Sequence, residues 1–225
     1  MAVQQIISPI DGSVVAEREL ASDSVVDAVL AAAQAAQTVW RAMAIAERIR
    51  LCEAMIVHLE TSVADIATEI SWQMGRPVRY TPNEILRGAQ ERARYMMSIA
   101  TEELADVSVP PVDGFTKYIE RTPVGTVLIV APWNYPYLTA INSLIPALLA
   151  GNTVIMKHAS QTLLCAERFS DACTAAGFPA GVFQHVHASH SAVERMIQDP
   201  RVNFVVFTGS VQGGAAMERA AAGRF

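Results

Sequence analysis

Four short apolar segments alternate with helical segments in the second half of the chain, and this alternation constrains the fold more than any other feature. The first segment, residues 126–131, is β-branched, uncharged and too short for a comfortable helix. Such a segment is typical of a strand buried on both faces of a parallel sheet. Strands joined by helices predict an α/β fold in which helices cover both faces of a parallel sheet.

The boundaries of these elements follow from proline, serine and glycine. Pro132 ends the first strand because proline has no N–H for the sheet ladder, and Pro136 suits the first position of a helix. The strands are expected at residues 126–131, 153–157, 182–187 and 203–207. The helices are expected to begin near Pro136, Ser160, Ser189 and Ser210. A doubly wound sheet would take a further strand after the last helix, so we expect the chain to be incomplete.

The first half of the chain is mainly helical. Residues 1–104 predict a short hairpin with a turn at Asp11-Gly12, followed by four amphipathic helices. Asp23 or Ser24 is expected to cap the first of these helices.

Two further regions complete the division of the chain. Residues 105–122 predict a loop and then a strand at 115–122, and residues 123–225 form the β-α-β region. We expect the helices of the first region to pack against the last.

Composition and charge exclude several classes of protein. The chain has 225 residues, of which 52% are hydrophobic and 17% charged, so it is not a disordered chain. A net charge of −5 without a basic cluster argues against nucleic acid as a partner. We expect no membrane span and no signal peptide. The three cysteines are odd in number and far apart, which is typical of free thiols in the cytoplasm, and Cys165 and Cys173 are expected in apolar packing.

Three strand ends carry groups that could hold a ligand at the carboxyl edge of the sheet. Gly209 allows close backbone approach, and Ser210 can donate to an anion at a helix N-terminus or serve as an ordinary cap. Lys157 can meet ribose hydroxyls or a phosphate, or be a solvated lysine. Asn134 can donate to an oxyanion or belong to a turn. No G-x-G-x-x-G motif is present, so a dinucleotide would bind in another way.

Three histidines form the best metal candidate in the sequence. His185 and His187 lie on one face of a predicted strand, and His190 follows closely. No cysteine, and no carboxylate nearer than Glu194, completes the set. We therefore expect no metal site.

The order and spacing of three motifs resemble the aldehyde dehydrogenase superfamily. They are Pro132-Trp133-Asn134-Tyr135-Pro136, Lys157-His158-Ala159-Ser160 and Phe207-Thr208-Gly209-Ser210. Residues 145–152 and 176–182 resemble the same family, so the similarity covers essentially the whole chain. It is closest to bacterial succinate-semialdehyde dehydrogenase-like members. The resemblance implies an incomplete Rossmann-like cofactor-binding domain after a helical N-terminal region, and NAD(P)-dependent oxidation of an aldehyde to a carboxylic acid.

For the reacting end of the site, the resemblance implies that Asn134 stabilises the oxyanion of a thiohemiacetal and that Trp133 lies beside the nicotinamide. The family's nucleophilic cysteine and general-base glutamate would lie beyond residue 225, and none of the three cysteines takes the nucleophile's place. Cysteine attack, hydride transfer and thioester hydrolysis all need those groups. We therefore expect the isolated chain to be inactive and the full-length protein to be the enzyme.

For the cofactor, the resemblance implies that Lys157 bonds the adenosine ribose and that Gly209 and Ser210 hold the pyrophosphate, with Gly214 in the first turn of the helix below. Many NAD-using members carry glutamate where this chain has Ser160. A carboxylate would repel the 2′-phosphate of NADP, whereas a serine leaves room and offers a donor. The expected cofactor is NADP or NAD, with NADP favoured.

Partners follow from the same resemblance. The substrate is expected to be a small-molecule aldehyde, and the strand at 115–122 would belong to a hairpin through which full-length members form homodimers or homotetramers. Two alternatives remain: a non-catalytic protein that binds nucleotide or a partner subunit, and an acyl-CoA-forming relative. His158 stands where proline is more usual, and the sequence alone gives this change no consequence.

Overall fold

The computed structural model describes residues 2–224, and its strands and helices alternate as the sequence predicts. The strands are β1 (Val3–Ile7), β2 (Val14–Glu19), β3 (Val107–Ser108), β4 (Tyr118–Ile119), β5 (Thr126–Ala131), β6 (Thr153–His158), β7 (Phe183–His185) and β8 (Phe204–Phe207). The helices are α1 (Asp23–Ala42), α2 (Ile45–Thr61), α3 (Val63–Met74), α4 (Gln90–Glu103), α5 (Pro136–Leu149), α6 (Leu163–Ala176), α7 (His190–Gln198) and α8 (Val211–Ala221). A π-helical segment, Glu84–Ala89, leads directly into α4.

The order of strands in the central sheet reverses beside β5. The sheet has four parallel strands in the order β7, β6, β5, β8. The chain therefore moves outward from β5 to β6 and β7, and then crosses back to place β8 on the other side of β5. In open α/β sheets, ligands bind outside the carboxyl ends of the strands where the order reverses. Here that position is the carboxyl edge of β5 and β8.

Both faces of β5 and β6 are buried. Successive side chains of a strand point to opposite faces. Val127 and Ile129 accordingly belong to one core, which includes residues of α2, α4, α5 and α6, while Leu128 and Val130 belong to another with α1, α7 and α8. The prediction that β5 is buried on both faces is confirmed.

Two asparagines fix the amino end of β5. The Asn152 side chain precedes β6 and accepts a hydrogen bond from the Gly125 N–H at 3.0 Å. The Asn203 side chain precedes β8 and accepts from the Thr126 N–H at 2.8 Å. These bonds join the starts of three strands, so they support the register of the sheet from the edge opposite to the ligand edge.

The N-terminal helices share the core of the sheet. Trp40 of α1 is fully buried, and its indole N–H donates to the Leu148 carbonyl of α5 at 3.0 Å. The Gln37 side chain donates to the Gly151 carbonyl at 2.9 Å and accepts from the Thr153 N–H at 2.9 Å. Because these bonds cross from α1 to α5, to the turn after it and to the first residue of β6, the N-terminal region supports the sheet directly.

The start of α1 differs by one residue from the prediction. Ser22, and neither Asp23 nor Ser24, occupies the N-cap position, and its hydroxyl accepts from the Val25 N–H at 3.3 Å. The side-chain oxygen of an N-cap reaches the N–H of the second or third helical residue, and only Ser22 has that spacing.

The start of α6 also differs from the prediction. The helix begins three residues after Ser160, with Thr162 at the N-cap position and no capping bond from its side chain. The Thr162 hydroxyl is instead bonded to the ring of His158. A helix N–H at this end, that of Leu164, donates at 3.1 Å to the side chain of Gln73, which is buried in α3. Tertiary contacts have therefore replaced the local cap.

Several predicted strands have different limits in the structure. The predicted strand at 115–122 is wrong for most of its length, since the only strand there is β4, paired with β3, while Phe115 makes an isolated bridge with Val112. The exposed residues of this segment have no core to pack against. The predicted strand at 182–187 is shorter as β7. The N-terminal hairpin turns at Asp11-Gly12 as predicted, but β1 and β2 extend farther from the turn.

Among the described residues, no helix combines the length and apolar character needed to cross a membrane.

Gly181 and Gly177 form a matched pair that tests the packing of α1 on the sheet. Both have a positive φ, +85° and +84°, so alanine strains the backbone at either position. At Gly181 the new Cβ would also lie 2.6 Å from the Ala32 carbonyl oxygen of α1, whereas at Gly177 it meets open space. We expect G177A to lower the free energy of unfolding by about 1–2 kcal/mol, and G181A to lower it more, in urea titrations. Equal losses would contradict a tight contact with α1.

Candidate functional site

The carboxyl ends of β5, β6 and β8 border one cleft of about 620 Å³. Its volume lies within the range of roughly 300–1,000 Å³ that is usual for small-molecule sites. The cleft brings together residues of all three motifs, namely Trp133, Asn134, Lys157, Ser160, Gly209 and Ser210. Gly214 belongs to the first turn of α8 as expected, but its neighbour Gly213 lines the cleft in its place.

The turn between β5 and α5 presents Asn134 to the cleft. β5 ends before Pro132, and α5 begins with Pro136 at its first position, as the sequence predicts. The Asn134 side-chain oxygen accepts from the Tyr135 N–H at 3.1 Å. Across residues 2–224 its amide NH₂ has no acceptor, so the group can donate to a ligand oxygen. Trp133, beside it, is half exposed on the cleft wall.

Lys157 is a buried cation at the middle of the same edge. It is only 7% exposed, which excludes the interpretation of a solvated lysine at a strand end. Burial lowers the pKa of its ammonium group, and no carboxylate pairs with it in the described chain. A buried charge without a partner costs free energy unless a ligand supplies acceptors. Lys157 therefore suits a site for a ligand with hydroxyl or phosphate oxygens.

Ser210 occupies the N-cap of α8, at the end of β8. Its hydroxyl oxygen accepts from the Gly213 N–H at 3.1 Å, while its hydroxyl hydrogen stays available to donate into the cleft. The first N–H groups of any α-helix lack partners within the helix, and they carry the positive end of its dipole. The interpretation of Ser210 as a helix cap is confirmed, and its role at an anion site stays a prediction that the cap does not exclude.

Phe207 gives a second reason for glycine in this motif. Its ring packs over the start of α8, so that a Cβ added at Gly209 would lie 2.5 Å from its Cζ and one at Gly213 2.6 Å. Small residues are therefore required here by the packing of the motif itself, in addition to any close approach by a ligand.

The model of the aldehyde dehydrogenase family matches residues 2–225. The chain belongs to the aldehyde dehydrogenase family. This confirms the resemblance read from the three motifs, whose residues meet around one cleft.

Two kinds of relative support this assignment. A succinate-semialdehyde dehydrogenase [NADP(+)] of Mycobacterium avium strain 104 is 36% identical over 214 residues, which is 94% of this chain and 45% of the relative. The structure of succinic semialdehyde dehydrogenase from Streptococcus pyogenes in complex with NADP+ has a TM-score of 0.90 at 27% identity, covering 97% of this chain and 48% of that one. A structure of PnpE in complex with nicotinamide adenine dinucleotide has a TM-score of 0.91 at 30% identity, covering 98% and 45%. The chain spans about half the length of the curated relatives it matches, and the predicted Rossmann-like fold is confirmed.

Glu84 supports the start of α5, just after the turn that carries Asn134, and nothing in the sequence indicated it. This buried carboxylate of the π-helical segment accepts from the Leu138 N–H in the first turn of α5 at 3.3 Å and pairs with Arg76. The Arg76 guanidinium lies 5.0 Å from the centre of the Tyr135 ring. Short π-helical segments are frequent at functional sites. No local pattern marks Glu84, because the Leu138 N–H from which it accepts lies 54 residues away.

The thiols of this aldehyde dehydrogenase chain are packing groups. Cys52, Cys165 and Cys173 are free and buried, as predicted. Burial raises the pKa of Cys52 to about 12 and raises the pKa of the other two thiols. A reactive cysteine needs an accessible thiolate, so none of these three suits the role of nucleophile.

The histidine cluster differs from the sequence prediction. Glu167 of α6, and not Glu194, is the carboxylate near His185 and His187, with candidate ligand atoms of all three within 4.8 Å of one another. Glu167 is bonded at 2.6 and 2.8 Å by Arg18 and at 2.9 Å by His187. Burial would raise the pKa of Glu167, but the hydrogen bonds from His187 and Arg18 lower it to about 2. Arg18 donates to both carboxylate oxygens of Glu167, so this ion pair ties β2 to α6.

The two lysines of the chain offer a direct test of the unpaired charge. Lys157 is buried and Lys117 is exposed. We expect K157M to raise the free energy of unfolding without ligand by about 1 kcal/mol, because it removes a buried charge that has no partner. K117M should change stability by less than about 0.5 kcal/mol. Urea titrations of both variants without nucleotide measure the difference, and a destabilised K157M would contradict the absence of a counter-charge.

Proposed function

We propose that this chain forms the cofactor-binding part of an NADP-dependent aldehyde dehydrogenase, and that the whole protein oxidises a small aldehyde to a carboxylic acid. The observation that carries the proposal is the convergence of Asn134, Lys157 and Ser210 on one cleft where the strand order reverses. The name of the Mycobacterium avium relative favours succinate semialdehyde as the substrate.

The cleft has the chemistry that a dinucleotide requires. The nicotinamide cofactor, when bound, accepts the hydride from the substrate. The Lys157 ammonium donates to ribose hydroxyls at the centre of the edge, and the N-terminus of α8 with the Ser210 hydroxyl binds the pyrophosphate. Gly209 and Gly213 keep that helix end free of side chains of their own. Trp133 provides an apolar wall for the nicotinamide.

Asn134 has the role of oxyanion donor in this proposal. When a thiolate attacks the aldehyde carbon, negative charge develops on the carbonyl oxygen, and a fixed donor stabilises that charge. The bond between the Asn134 side-chain oxygen and the Tyr135 N–H leaves the NH₂ group to donate. The thiolate and the general base come from residues outside 1–225, so the 225-residue chain alone would bind cofactor without turnover.

Ser160 supports a preference for NADP. It lies exposed on the cleft lining close to Lys157, at a position where a carboxylate would repel a 2′-phosphate. The cleft also contains the carboxylate of Glu194, which is exposed and therefore screened by solvent and salt.

An exposed apolar hairpin supports assembly of the full-length protein as a homodimer or homotetramer. Phe115 is 72% exposed, and Tyr118 and Ile119 of β4 are also exposed. Contiguous exposed apolar groups are typical of protein–protein contacts. A cytoplasmic location, in keeping with three free buried thiols, belongs to the same proposal.

Nucleotide binding by the chain itself tests the proposal. In a W72F background, Trp133 is the only tryptophan of the chain that is not buried, so its fluorescence reports on the cleft. We expect NADP to quench this fluorescence with saturation, and K157M and S210A each to weaken binding by about tenfold or more. Unquenched fluorescence, together with no heat of binding in calorimetry, would refute the proposal.

Exchange of Ser160 tests the choice of cofactor. We expect S160E to weaken NADP binding and to favour NAD, changing the ratio of the two dissociation constants by about tenfold or more, because the new carboxylate meets the 2′-phosphate. S160A keeps the space but adds no charge, so it should leave the preference for NADP in place. An unchanged ratio in S160E would disprove this part of the proposal.

Product analysis separates the alternatives in the full-length protein. A carboxylic acid formed without coenzyme A supports the dehydrogenase, whereas a thioester formed only with coenzyme A indicates the acyl-CoA-forming relative. Nucleotide binding without any turnover of aldehydes by the full-length protein indicates the non-catalytic alternative.

A further inference from the structure

His158 connects the two loops that form the cofactor cleft. It is the last residue of β6, directly after Lys157, and it is fully buried. Its ring Nε2 lies 3.1 Å from the Pro136 carbonyl oxygen at the start of α5. Its Nδ1 lies 2.9 Å from the Thr162 hydroxyl and 3.1 Å from the Ala159 N–H. One ring therefore bonds both the turn that carries the oxyanion donor and the loop that carries Ser160.

Only one protonation state of the ring satisfies all three bonds. The Pro136 carbonyl can only accept, so Nε2 must carry the hydrogen. The Ala159 N–H can only donate, so Nδ1 must be the bare acceptor, and the Thr162 hydroxyl then donates to it as well. Burial lowers the pKa of His158 to about 4, with Lys157 also lowering it, so the ring is neutral near pH 7.

The neighbouring helix shows that this connection replaces an ordinary cap. Thr162 stands at the N-cap of α6, where a threonine hydroxyl usually accepts from a backbone N–H. Here the hydroxyl bonds His158, and the side chain of Gln73 takes the Leu164 N–H at 3.1 Å instead. A proline at position 158 could not form the bond to Pro136, since it has no side-chain donor.

We propose that His158 is a positioning residue, which holds the Asn134 turn at a fixed distance from the Lys157–Ser160 loop. Through the Pro136 carbonyl it fixes the start of α5, two residues after the oxyanion donor. Through Thr162 and Ala159 it fixes the loop that holds the adenosine ribose. The proposal rests on the proposed function for the identity of the ligand, but the connection between the loops can be measured without any ligand.

Replacing His158 by glutamine or by asparagine distinguishes the bonds made by the two ring nitrogens. Glutamine at position 158 places its NH₂ near Nε2 and keeps the donor to Pro136, whereas asparagine places its amide near Nδ1 and keeps only the contacts with Thr162 and Ala159. Leucine keeps neither bond. T162V removes the hydroxyl and leaves the ring in place. G181A, which is destabilised at the amino end of β7 and outside the cleft lining, serves as the control for loss of stability alone.

Hydrogen exchange without nucleotide tests the connection itself. We expect the amides of residues 134–140 to exchange faster in H158N and H158L than in H158Q, because only H158Q keeps the bond to Pro136. T162V should instead increase exchange in residues 159–164. Equal exchange at 134–140 in H158N and H158Q would overturn the proposal. If H158L does not fold, the comparison between the two amides still decides.

Cofactor binding and turnover test the consequence. We expect H158N to weaken NADP binding by about tenfold and H158Q by no more than about threefold, with G181A unchanged. In the full-length enzyme, H158N should lower kcat by about 10- to 100-fold, since a misplaced oxyanion donor affects the transition state most. A change in KM alone would overturn the role in positioning Asn134. Failure of the unsubstituted chain to bind NADP would refute the proposed function. The hydrogen-exchange result would still test whether His158 connects the two loops.

Discussion

The burial of β5 on both faces is the constraint on which the rest of the structure depends. Val127 and Ile129 face one core and Leu128 and Val130 the other, so a slip of one residue would exchange the side chains of both cores. A strand buried on both faces is typical of a parallel sheet with helices on both faces, and β6 and β8 pair with β5 in this way. β6 and β8 lie on opposite sides of β5. The loops that follow these two strands therefore diverge at the carboxyl end of β5 and leave a cleft between them.

The cleft is maintained by polar groups whose partners lie far away in the sequence. Glu84 secures the start of α5 through the Leu138 N–H, and Gln73 secures the start of α6 through the Leu164 N–H. Both come from the N-terminal half, which carries no chemical motif of its own. A buried polar group is costly unless it is bonded, so these residues are bound tightly into a single arrangement. The N-terminal helices therefore contribute to the shape of the site as well as to the core.

Lys157 is the exception among the buried polar groups described above, since no carboxylate pairs with it in the described chain. Burial lowers the pKa of its ammonium group. The nearby network of Arg18, Glu167 and His187 shows the opposite arrangement, in which each charge meets a partner. Functional sites commonly retain such an unfavourable group because a ligand completes its interactions. The contrast supports the proposal that Lys157 binds a ligand, whereas the network ties elements of the fold together.

The sequence by itself determined the type of fold and the place of the site. The apolar strands, Pro132 and Pro136 were sufficient to predict β5 and α5, and the three motifs predicted which strand ends meet, since apolar periodicity and proline act locally. The tertiary structure alone decided the roles of His158, Gln73, Glu84 and Glu167. For each of them a partner lies in another part of the chain, such as Pro136 for His158 and Leu138 for Glu84, and no local pattern encodes that contact. The cap of α6 and the strand at 115–122 were predicted incorrectly because both depend on tertiary contacts. A hydroxyl bonds whichever donor or acceptor the fold brings near it. A strand is stable only where another element covers it.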